Sequence, residues 1–324
     1  MSDGGPRHVG RFAPSPTGDL HLGSALAALG AWASARHAGG RFLYRVEDLD
    51  GPRAVEGAAD RQMDDVRWLG LDWDEGPDVG GPAAPYRQSQ RGALYDAALA
   101  RLAEAGRLFP CRLSRRDLRE LATAPHGAPG LPPYPARLRP QHLAPDWFQT
   151  PDPDAALRFQ VEAGPVAFED RVVGAVREDV GQSVGDFVLK RRDGVYAYQL
   201  AVVVDDLAMG VTEVVRGRDL LDSTARQILL TRALGGDVPT YAHLPLLVDA
   251  GGRKLSKRTG ALAVRDLREA GVRPEALVGW LAAALGQGDG RTRTPADVAA
   301  AFDVRRVPHE PVAVPTDLAH RLSP

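Results

Sequence analysis

Two stretches of this chain combine residue types that can bind and stabilise phosphate. Residues 14–24, PSPTGDLHLGS, place two prolines, a hydroxyl pair and His21 in a short loop. Residues 251–258, GGRKLSKR, place Lys254 and Lys257 after two glycines. Helix N-termini carry partial positive charge and lysine ammonium groups are compact point charges, so both suit phosphate oxygens. Such groups stabilise transition states in which negative charge builds on phosphate oxygens.

A strand–loop–helix unit is expected to position the first stretch. Residues 8–13 predict a strand, and residues 20–37 carry apolar side chains at helical spacing before Gly39 and Gly40. Residues 41–46 predict a second strand, which ends in the acidic sequence EDLD. This order predicts a parallel sheet, in which ligands bind at the carboxyl ends of the strands. The loop matches neither GxxxxGK[ST] nor GxGxxG, so the common nucleotide-binding fingerprints do not apply.

The rest of the chain shows alternating helical and strand-like patterns around a proline-dense loop at residues 124–154. An Asp-Gly pair at 193–194 predicts a hairpin between residues 186–191 and 195–200. Further helices are expected near residues 56–69, 89–105 and 223–234, and further strands at 157–161, 166–168, 171–177 and 211–215.

Four segments follow from these patterns. We expect residues 7–106 and 185–260 to form the two halves of an α/β catalytic domain. Residues 107–184 would be an inserted subdomain, and residues 261–324 a short helical C-terminal segment.

Composition limits the kind of protein this can be. The 324 residues are 44% hydrophobic and 25% charged, with a formal net charge of −2, so RNA contact would require a local basic surface. Cys111 is the single cysteine, which excludes a disulfide framework and favours a reducing cytoplasm. The sequence predicts neither a signal peptide nor a membrane span.

The two stretches that can bind phosphate, residues 14–24 and 251–258, together resemble the HIGH and KMSKS signatures of class I aminoacyl-tRNA synthetases. The PSPTG context, the sequence RVEDLD at residues 45–50 and YQLA at 198–201 make the chain similar to the glutamyl-tRNA synthetase group. The resemblance implies a Rossmann-like catalytic domain. It also implies activation of a carboxylate by attack on the α-phosphorus of ATP, with Mg²⁺ accompanying the nucleotide.

The resemblance also assigns site residues. His21, Lys254 and Lys257 would be catalytic, with pyrophosphate charge neutralised by the lysines. Glu47 would face the glutamate ammonium, and Arg11 and Arg216 its carboxylates. The full glutamate-binding set would be Arg11, Phe12, Ala13, Pro14, Ser15, Glu47, Tyr198 and Arg216, and the ATP-binding set His21, Gly23, Ser24 and Lys257.

The sequence continues to Pro324 after the KMSKS-like stretch, and we expect no anticodon-binding domain in these residues. It therefore resembles the short paralogues of this group, a family that transfers activated glutamate to queuosine in the anticodon of tRNA(Asp). The implied partners are ATP, L-glutamate and queuosine-containing tRNA(Asp), with no membrane. No residue stands out as a general base for the transfer.

One region departs from the family pattern. Many members have Cys-x-Cys followed by Tyr-x-x-x-Cys as a zinc site, but the matching positions here are Cys111, Leu113, Tyr134 and Leu138. Because structural zinc needs four ligands, we expect no zinc, and we expect the two leucines to pack together there.

Several alternatives stay open at this stage. The chain could be a truncated synthetase that charges a tRNA 3′ end, or a catalytically silent paralogue that binds nucleotide or RNA. Glu47 could be a solvated strand end and Tyr198 a core aromatic. Asp205 and Asp206 could bind a metal or cap a helix. The arginines at 112, 115, 116 and 119 could contact tRNA, although interleaved acids favour a solvated helix.

Overall fold

A computed structural model describes residues 8–114, 116–118, 133–144, 146–150, 152–253 and 262–323. No helix in these ranges has the length and apolar character needed to cross a bilayer.

The chain begins with the expected parallel βαβ unit. Strand β1 (Val9–Phe12) leads through a loop to helix α1 (Leu22–His37), and strand β2 (Arg41–Tyr44) pairs with β1 in parallel. The helix begins later than predicted because His21 is its N-cap. Gly39 follows the helix with φ +62°, a conformation that glycine adopts without a Cβ penalty. The unit therefore presents the 13–21 loop at the carboxyl end of β1.

Two helices and a small antiparallel sheet follow. Helices α2 (Ala58–Trp68) and α3 (Gly92–Glu104) precede strands β3 (Leu108–Cys111) and β4 (Ala156–Phe159). An antiparallel hairpin and one turn of helix come next; they are β5 (Val166–Asp170), β6 (Gly174–Glu178) and α4 (Val180–Ser183). Strand β7 (Phe187–Lys190) then completes a sheet in the order β3-β4-β7.

The second half of the chain completes the larger sheet. Helix α5 (Tyr198–Ala208) precedes strand β8 (Glu213–Gly217), and helix α6 (Thr224–Ala233) connects it to the parallel strand β9 (Thr240–Leu244). In the order β6-β5-β9-β8, β8 is an edge strand. Thr212, just before β8, donates its N–H to the Val9 carbonyl of β1 at 3.0 Å, which brings the two sheets together.

The C-terminal segment packs on α1. It contains short helices and strand β11 (Val312–Ala313), which pairs in parallel with β10 (Leu247–Val248) of the preceding segment. These helices are α7 (Val264–Glu269), α8 (Pro274–Ala284), α9 (Pro295–Ala300) and α10 (Leu318–Leu322). Leu26 and Leu29 of α1 share one buried cluster with Leu277 and Leu281 of α8. This burial covers the face of α1 that the sheet leaves open.

Two sequence predictions need comment. The strand predicted at 195–200 is wrong: Tyr196 makes one antiparallel bridge to Lys190, and α5 begins at Tyr198. The apolar run of α5 is buried, and such a run does not distinguish a strand from a buried helix. Strand pairing also crosses the expected division at residue 184, because β4 pairs with β7 and β5 with β9. The domain limits stay a prediction.

A buried ion cluster joins β2 to α3 and α5. The side chain of Arg45 is 0% exposed; its Nη1 donates to Asp206 Oδ1 at 2.7 Å and its Nη2 to Glu47 Oε1 at 3.0 Å. Arg91 Nε of the loop before α3 donates to Asp205 Oδ1 at 2.6 Å. A buried charge without its partner is costly, so these contacts fix the three elements relative to one another.

Candidate active site

A cavity of about 330 Å³ opens at the carboxyl ends of β1 and β8. It brings together every glutamate-binding residue that the resemblance implied, and His21, Gly23 and Ser24 of the expected ATP site. The predicted residues that line it are Arg11, Phe12, Ala13, Pro14, Ser15, His21, Gly23, Ser24, Glu47, Tyr198 and Arg216. Lys254 and Lys257 lie outside the described residues.

The loop between β1 and α1 is held by backbone and side-chain hydrogen bonds. The Glu47 N–H donates to the Pro14 carbonyl at 3.0 Å, and the Val55 N–H to the Pro16 carbonyl at 2.9 Å. The buried Gln62 of α2 donates through Nε2 to the Gly18 carbonyl at 2.6 Å. The loop is therefore attached to the β2–α2 connection and to α2, and it forms one wall of the cavity.

His21 is fixed at the start of α1. Its Nδ1 accepts from the Ser24 N–H at 3.1 Å, and its Nε2 lies 3.0 Å from Ser24 Oγ. An added Cβ on Gly23 would lie 3.2 Å from the His21 ring, closer than ordinary van der Waals contact. Glycine at this position therefore allows the imidazole to lie against the first turn of the helix.

The chain that follows the KMSKS-like stretch runs beside His21. The Leu22 N–H donates to the Leu262 carbonyl at 3.3 Å, and the Val264 N–H donates to the Leu20 carbonyl at 2.8 Å. Ala263 forms a bridge with His21. These contacts attach residues 262–264 to the same helix N-terminus that borders the cavity.

Acidic and basic side chains meet at the base of the cavity. Burial raises the pKa of Glu47, and its contact with Arg45 opposes the shift. Burial would also raise the pKa of Asp206, but Arg45 and Arg11 hold it below its usual value. Arg11 Nε is 3.6 Å from Asp206 Oδ1 and has no hydrogen-bond partner in the described chain. Glu47 is only 9% exposed, so it is not a solvated strand end.

Arg216 lies across the cavity, and the hydrogen-bond acceptors around its guanidinium are uncharged. Its Nη1 donates to Gln227 Oε1 at 2.8 Å, and its Nη2 to Thr224 Oγ1 at 2.8 Å and to the Leu220 carbonyl at 3.2 Å. Its Nε donates to His243 Nε2 at 3.0 Å. Arg216 thus brings positive charge to the cavity while bonding neutral acceptors.

Tyr198, the first residue of α5, lines the cavity and is 36% exposed, so it is not a core aromatic. Together with Ser15, Thr17 and Glu47 it also borders an adjacent cleft of about 380 Å³. The cleft continues between the β2–α2 connection and the loop before α5. Its further lining includes Asp48, Asp50, Arg53, Arg191 and Tyr196.

Among the residues that the structure describes, no group of three or more His, Cys, Asp or Glu side chains is placed to hold a metal ion. At the degenerate zinc position Cys111 Sγ lies 3.8 Å from the Tyr134 hydroxyl, which donates to the Leu138 carbonyl at 3.0 Å. Leu113 and Leu138 pack against a buried cluster that contains Cys111 and Tyr134. An apolar cluster with one thiol does not fit zinc.

Sequence reasoning missed the residues behind the cavity wall. Asp205 and Asp206 lie near the end of α5 and accept hydrogen bonds from arginines, so neither a cap nor a metal ligand describes them. The sequence alone assigns no role to His243 or Asp170, because they are distant in the chain and meet only when β5 pairs with β9.

Of the arginine group, Arg112 pairs with Asp152, and residues 115 and 119 lie outside the described chain.

Comparison with known proteins gives consistent matches. Residues 8–311 match the family described as tRNA synthetases class I (E and Q), catalytic domain. The chain is 50% identical to the glutamyl-Q tRNA(Asp) synthetase of Symbiobacterium thermophilum, over 97% of this chain and 98% of the relative. It is 41% identical to glutamate–tRNA ligase 2 of Syntrophus aciditrophicus, over 86% of this chain and 58% of the relative.

Solved structures show the same fold. The glutamate tRNA ligase of Elizabethkingia meningosepticum in complex with its amino acid superposes with a TM-score of 0.85 at 29% identity, covering 98% of this chain and 69% of that one. The glutamate-tRNA synthetase of Elizabethkingia anophelis also gives 0.85, at 30% identity and with 98% and 70% coverage.

The packing of Gly23 against His21 generates a prediction. Gly23→Ala should slow amino-acid-dependent ATP–pyrophosphate exchange by about 10- to 100-fold, because the methyl group displaces the imidazole from its position. Gly51→Ala is the matched control, since an added Cβ there meets nothing within 4 Å. Equal exchange rates for the two variants would show that the position of the His21 ring does not matter.

Proposed function

The chain belongs to the class I tRNA synthetase family for E and Q, and from this premise we propose that it activates L-glutamate with ATP and transfers it to queuosine in the anticodon of tRNA(Asp). The observation that carries the proposal is the single cavity in which Arg11, Glu47, Tyr198 and Arg216 face the helix N-terminus with His21. Relatives matched along nearly their whole length, which are named glutamyl-Q tRNA(Asp) synthetases, supply the acceptor.

Activation is attack of the glutamate α-carboxylate on the α-phosphorus of ATP, and pyrophosphate leaves. The protein contributes position and charge, since no covalent enzyme intermediate is required. The α1 N-terminus and His21 stabilise negative charge on the α-phosphate oxygens. Lys254 and Lys257 neutralise the leaving pyrophosphate, and Mg²⁺ accompanies ATP as part of the substrate.

Glutamate recognition follows from the charges in the cavity. The buried carboxylate of Glu47 faces the substrate ammonium, which compensates the desolvation that raises its pKa. Arg11 and Arg216 bind the two substrate carboxylates. Tyr198 closes the side toward the adjacent cleft. A ligand lacking one carboxylate would leave a buried arginine unpaired, which is the basis of strong rejection.

Transfer needs an acceptor path to the adenylate, and we assign this path to the adjacent 380 Å³ cleft, which shares Ser15, Thr17, Glu47 and Tyr198 with the cavity. A cyclopentene hydroxyl of queuosine would attack the glutamyl carbonyl, AMP would leave, and the hydroxyl proton would pass to solvent or phosphate. The aminomethyl nitrogen of queuosine is cationic at neutral pH. Asp50 lies in this cleft with its side chain 40% exposed, and its Oδ2 accepts a hydrogen bond from the exposed Arg53 at 2.6 Å, so a substrate cation would compete with Arg53 for the carboxylate.

A second candidate function is charging of a tRNA 3′ end. The match to a glutamate–tRNA ligase supports it, but that match spans 58% of the relative, whereas the matches to two glutamyl-Q relatives span 98% and 97% of those relatives. The acceptor therefore decides between the two functions. A silent paralogue would keep neither reaction.

The first experiment measures labelled-glutamate transfer with ATP to tRNA(Asp) that carries queuosine or unmodified guanosine at the anticodon. We expect incorporation only with queuosine, because only queuosine offers the cyclopentene hydroxyl. Incorporation into tRNA(Glu) in place of tRNA(Asp) would support 3′-end charging. Absence of both transfer and glutamate-dependent exchange would contradict the proposal altogether.

The acceptor cleft can be tested apart from activation. Asp50→Asn should lower the transfer rate to queuosine tRNA by about 10-fold through loss of a charge-assisted contact, and should leave ATP–pyrophosphate exchange unchanged. Asp289→Asn, an exposed aspartate in the C-terminal segment, is the matched control. An unchanged transfer rate in the Asp50 variant would contradict the placement of the queuosine acceptor in this cleft.

The packing at Cys111 and Tyr134 supports an inserted segment that is stable without zinc. Purified protein should contain far less than one zinc per chain, and a chelator should leave its melting temperature unchanged, since no metal-binding energy contributes to folding. Metal analysis and thermal unfolding with and without the chelator are the measurements. Stoichiometric zinc would overturn this expectation.

A further inference from the structure

Three side chains from three neighbouring strands form one line of hydrogen bonds behind the cavity. Asp170 ends β5, His243 is in β9, and Arg216 is in β8, directly opposite His243 in the strand register. Asp170 Oδ2 is 2.6 Å from His243 Nδ1, and His243 Nε2 is 3.0 Å from Arg216 Nε. All three are at most 4% exposed. Among them, Arg216 alone lines the cavity.

Arg216 at one end of the line and Asp170 at the other fix the His243 imidazole in one tautomer. A guanidinium can only donate, so His243 Nε2 must accept from Arg216. A carboxylate can only accept, so His243 Nδ1 must carry the proton and donate to Asp170. The histidine is therefore neutral, in agreement with the lowering of its pKa by burial and the nearby Arg216 charge against the opposing hydrogen bond to Asp170.

Asp170 is itself held rigidly. Its Oδ1 accepts from the N–H groups of Val172, Val173 and His243 at 3.0, 2.9 and 3.2 Å. Burial would raise its pKa, but His243 and the backbone donors hold the pKa below its usual value. The carboxylate thus stays ionised, and its second oxygen is aimed at the imidazole.

We propose that Asp170 and His243 are positioning residues for the Arg216 guanidinium. They fix it so that the second Nη1–H, which has no acceptor among the described residues, points at a glutamate carboxylate. The inference rests on the function proposed above. The Nε, both Nη2 hydrogens and one Nη1 hydrogen have protein acceptors among the described residues. This fixed orientation reduces the ordering that substrate binding must otherwise impose on a long side chain.

Asp170→Asn is the diagnostic variant. If the amide oxygen keeps the three backbone donors, the amide N–H₂ faces His243 Nδ1 and forces the proton onto Nε2. Nε2–H would then face the Arg216 Nε–H, donor against donor, which displaces the guanidinium although the volume is unchanged. The KM for glutamate in ATP–pyrophosphate exchange should rise by about 10-fold or more, and the KM for ATP should stay constant.

Two substitutions at His243 separate position from folding. His243→Gln can present an acceptor near the Nε2 position for Arg216, whereas His243→Asn can present a donor near Nδ1 for Asp170 but leaves Arg216 Nε without its acceptor. We expect the glutamate KM to rise more in the Asn variant than in the Gln variant. His142→Asn, at an exposed position, is the control. Melting temperatures identify any loss of fold.

The results separate the two hypotheses. Wild-type exchange that depends on glutamate, with equal glutamate KM values for wild type and Asp170→Asn, would overturn the positioning role and leave the proposed function standing. Equal changes in the KM for glutamate and for ATP would also overturn it, because a structural defect has no substrate preference. Wild-type protein without glutamate-dependent exchange would overturn the proposed function, and this inference with it.

Discussion

The buried guanidinium of Arg45 is the constraint on which the site depends. It lies at the end of β2 with no exposed surface, and it contacts Asp206 of α5 and Glu47 of the following loop. Its charge requires carboxylates, since a lone buried cation costs several kcal/mol, on the order of the stability of a whole domain. The carboxylates in turn bring α5 to β2 and place Tyr198 and Glu47 on the same cavity.

The two sides of the cavity differ in how their charged side chains are paired. On one side Glu47 contacts Arg45 and Asp206 lies near Arg11, so Glu47 can face an ammonium group while Arg11 faces a carboxylate. On the other side Arg216 has uncharged hydrogen-bond partners, so its positive charge is available to a carboxylate. A zwitterionic amino acid with an acidic side chain complements this arrangement in both sign and position. Such complementarity provides selectivity because a wrong ligand leaves buried groups unpaired.

The sequence predicted the βαβ unit and the loop after β1, and the family resemblance named eight positions that all line one cavity. Short motifs carry that resemblance, so these positions could be named before the fold was known. The sequence did not predict what lies behind them. The pair Asp205–Asp206 follows a valine run whose helical state depends on burial by other elements. Asp170 and His243 are 73 residues apart and meet only through the pairing of β5 with β9. Contacts between distant strands have no local signal, so the supporting residues appear only in the folded chain.

The most direct test of this account compares L-glutamate with L-glutamine in ATP–pyrophosphate exchange by the wild-type protein. The two amino acids have nearly the same size, and they differ by one carboxylate. The charge distribution of the cavity predicts a kcat/KM for glutamate at least about 100-fold above that for glutamine, since the amide would leave an arginine charge uncompensated. Equal kcat/KM values for the two amino acids would contradict the assignment of Arg11 and Arg216 to the substrate carboxylates.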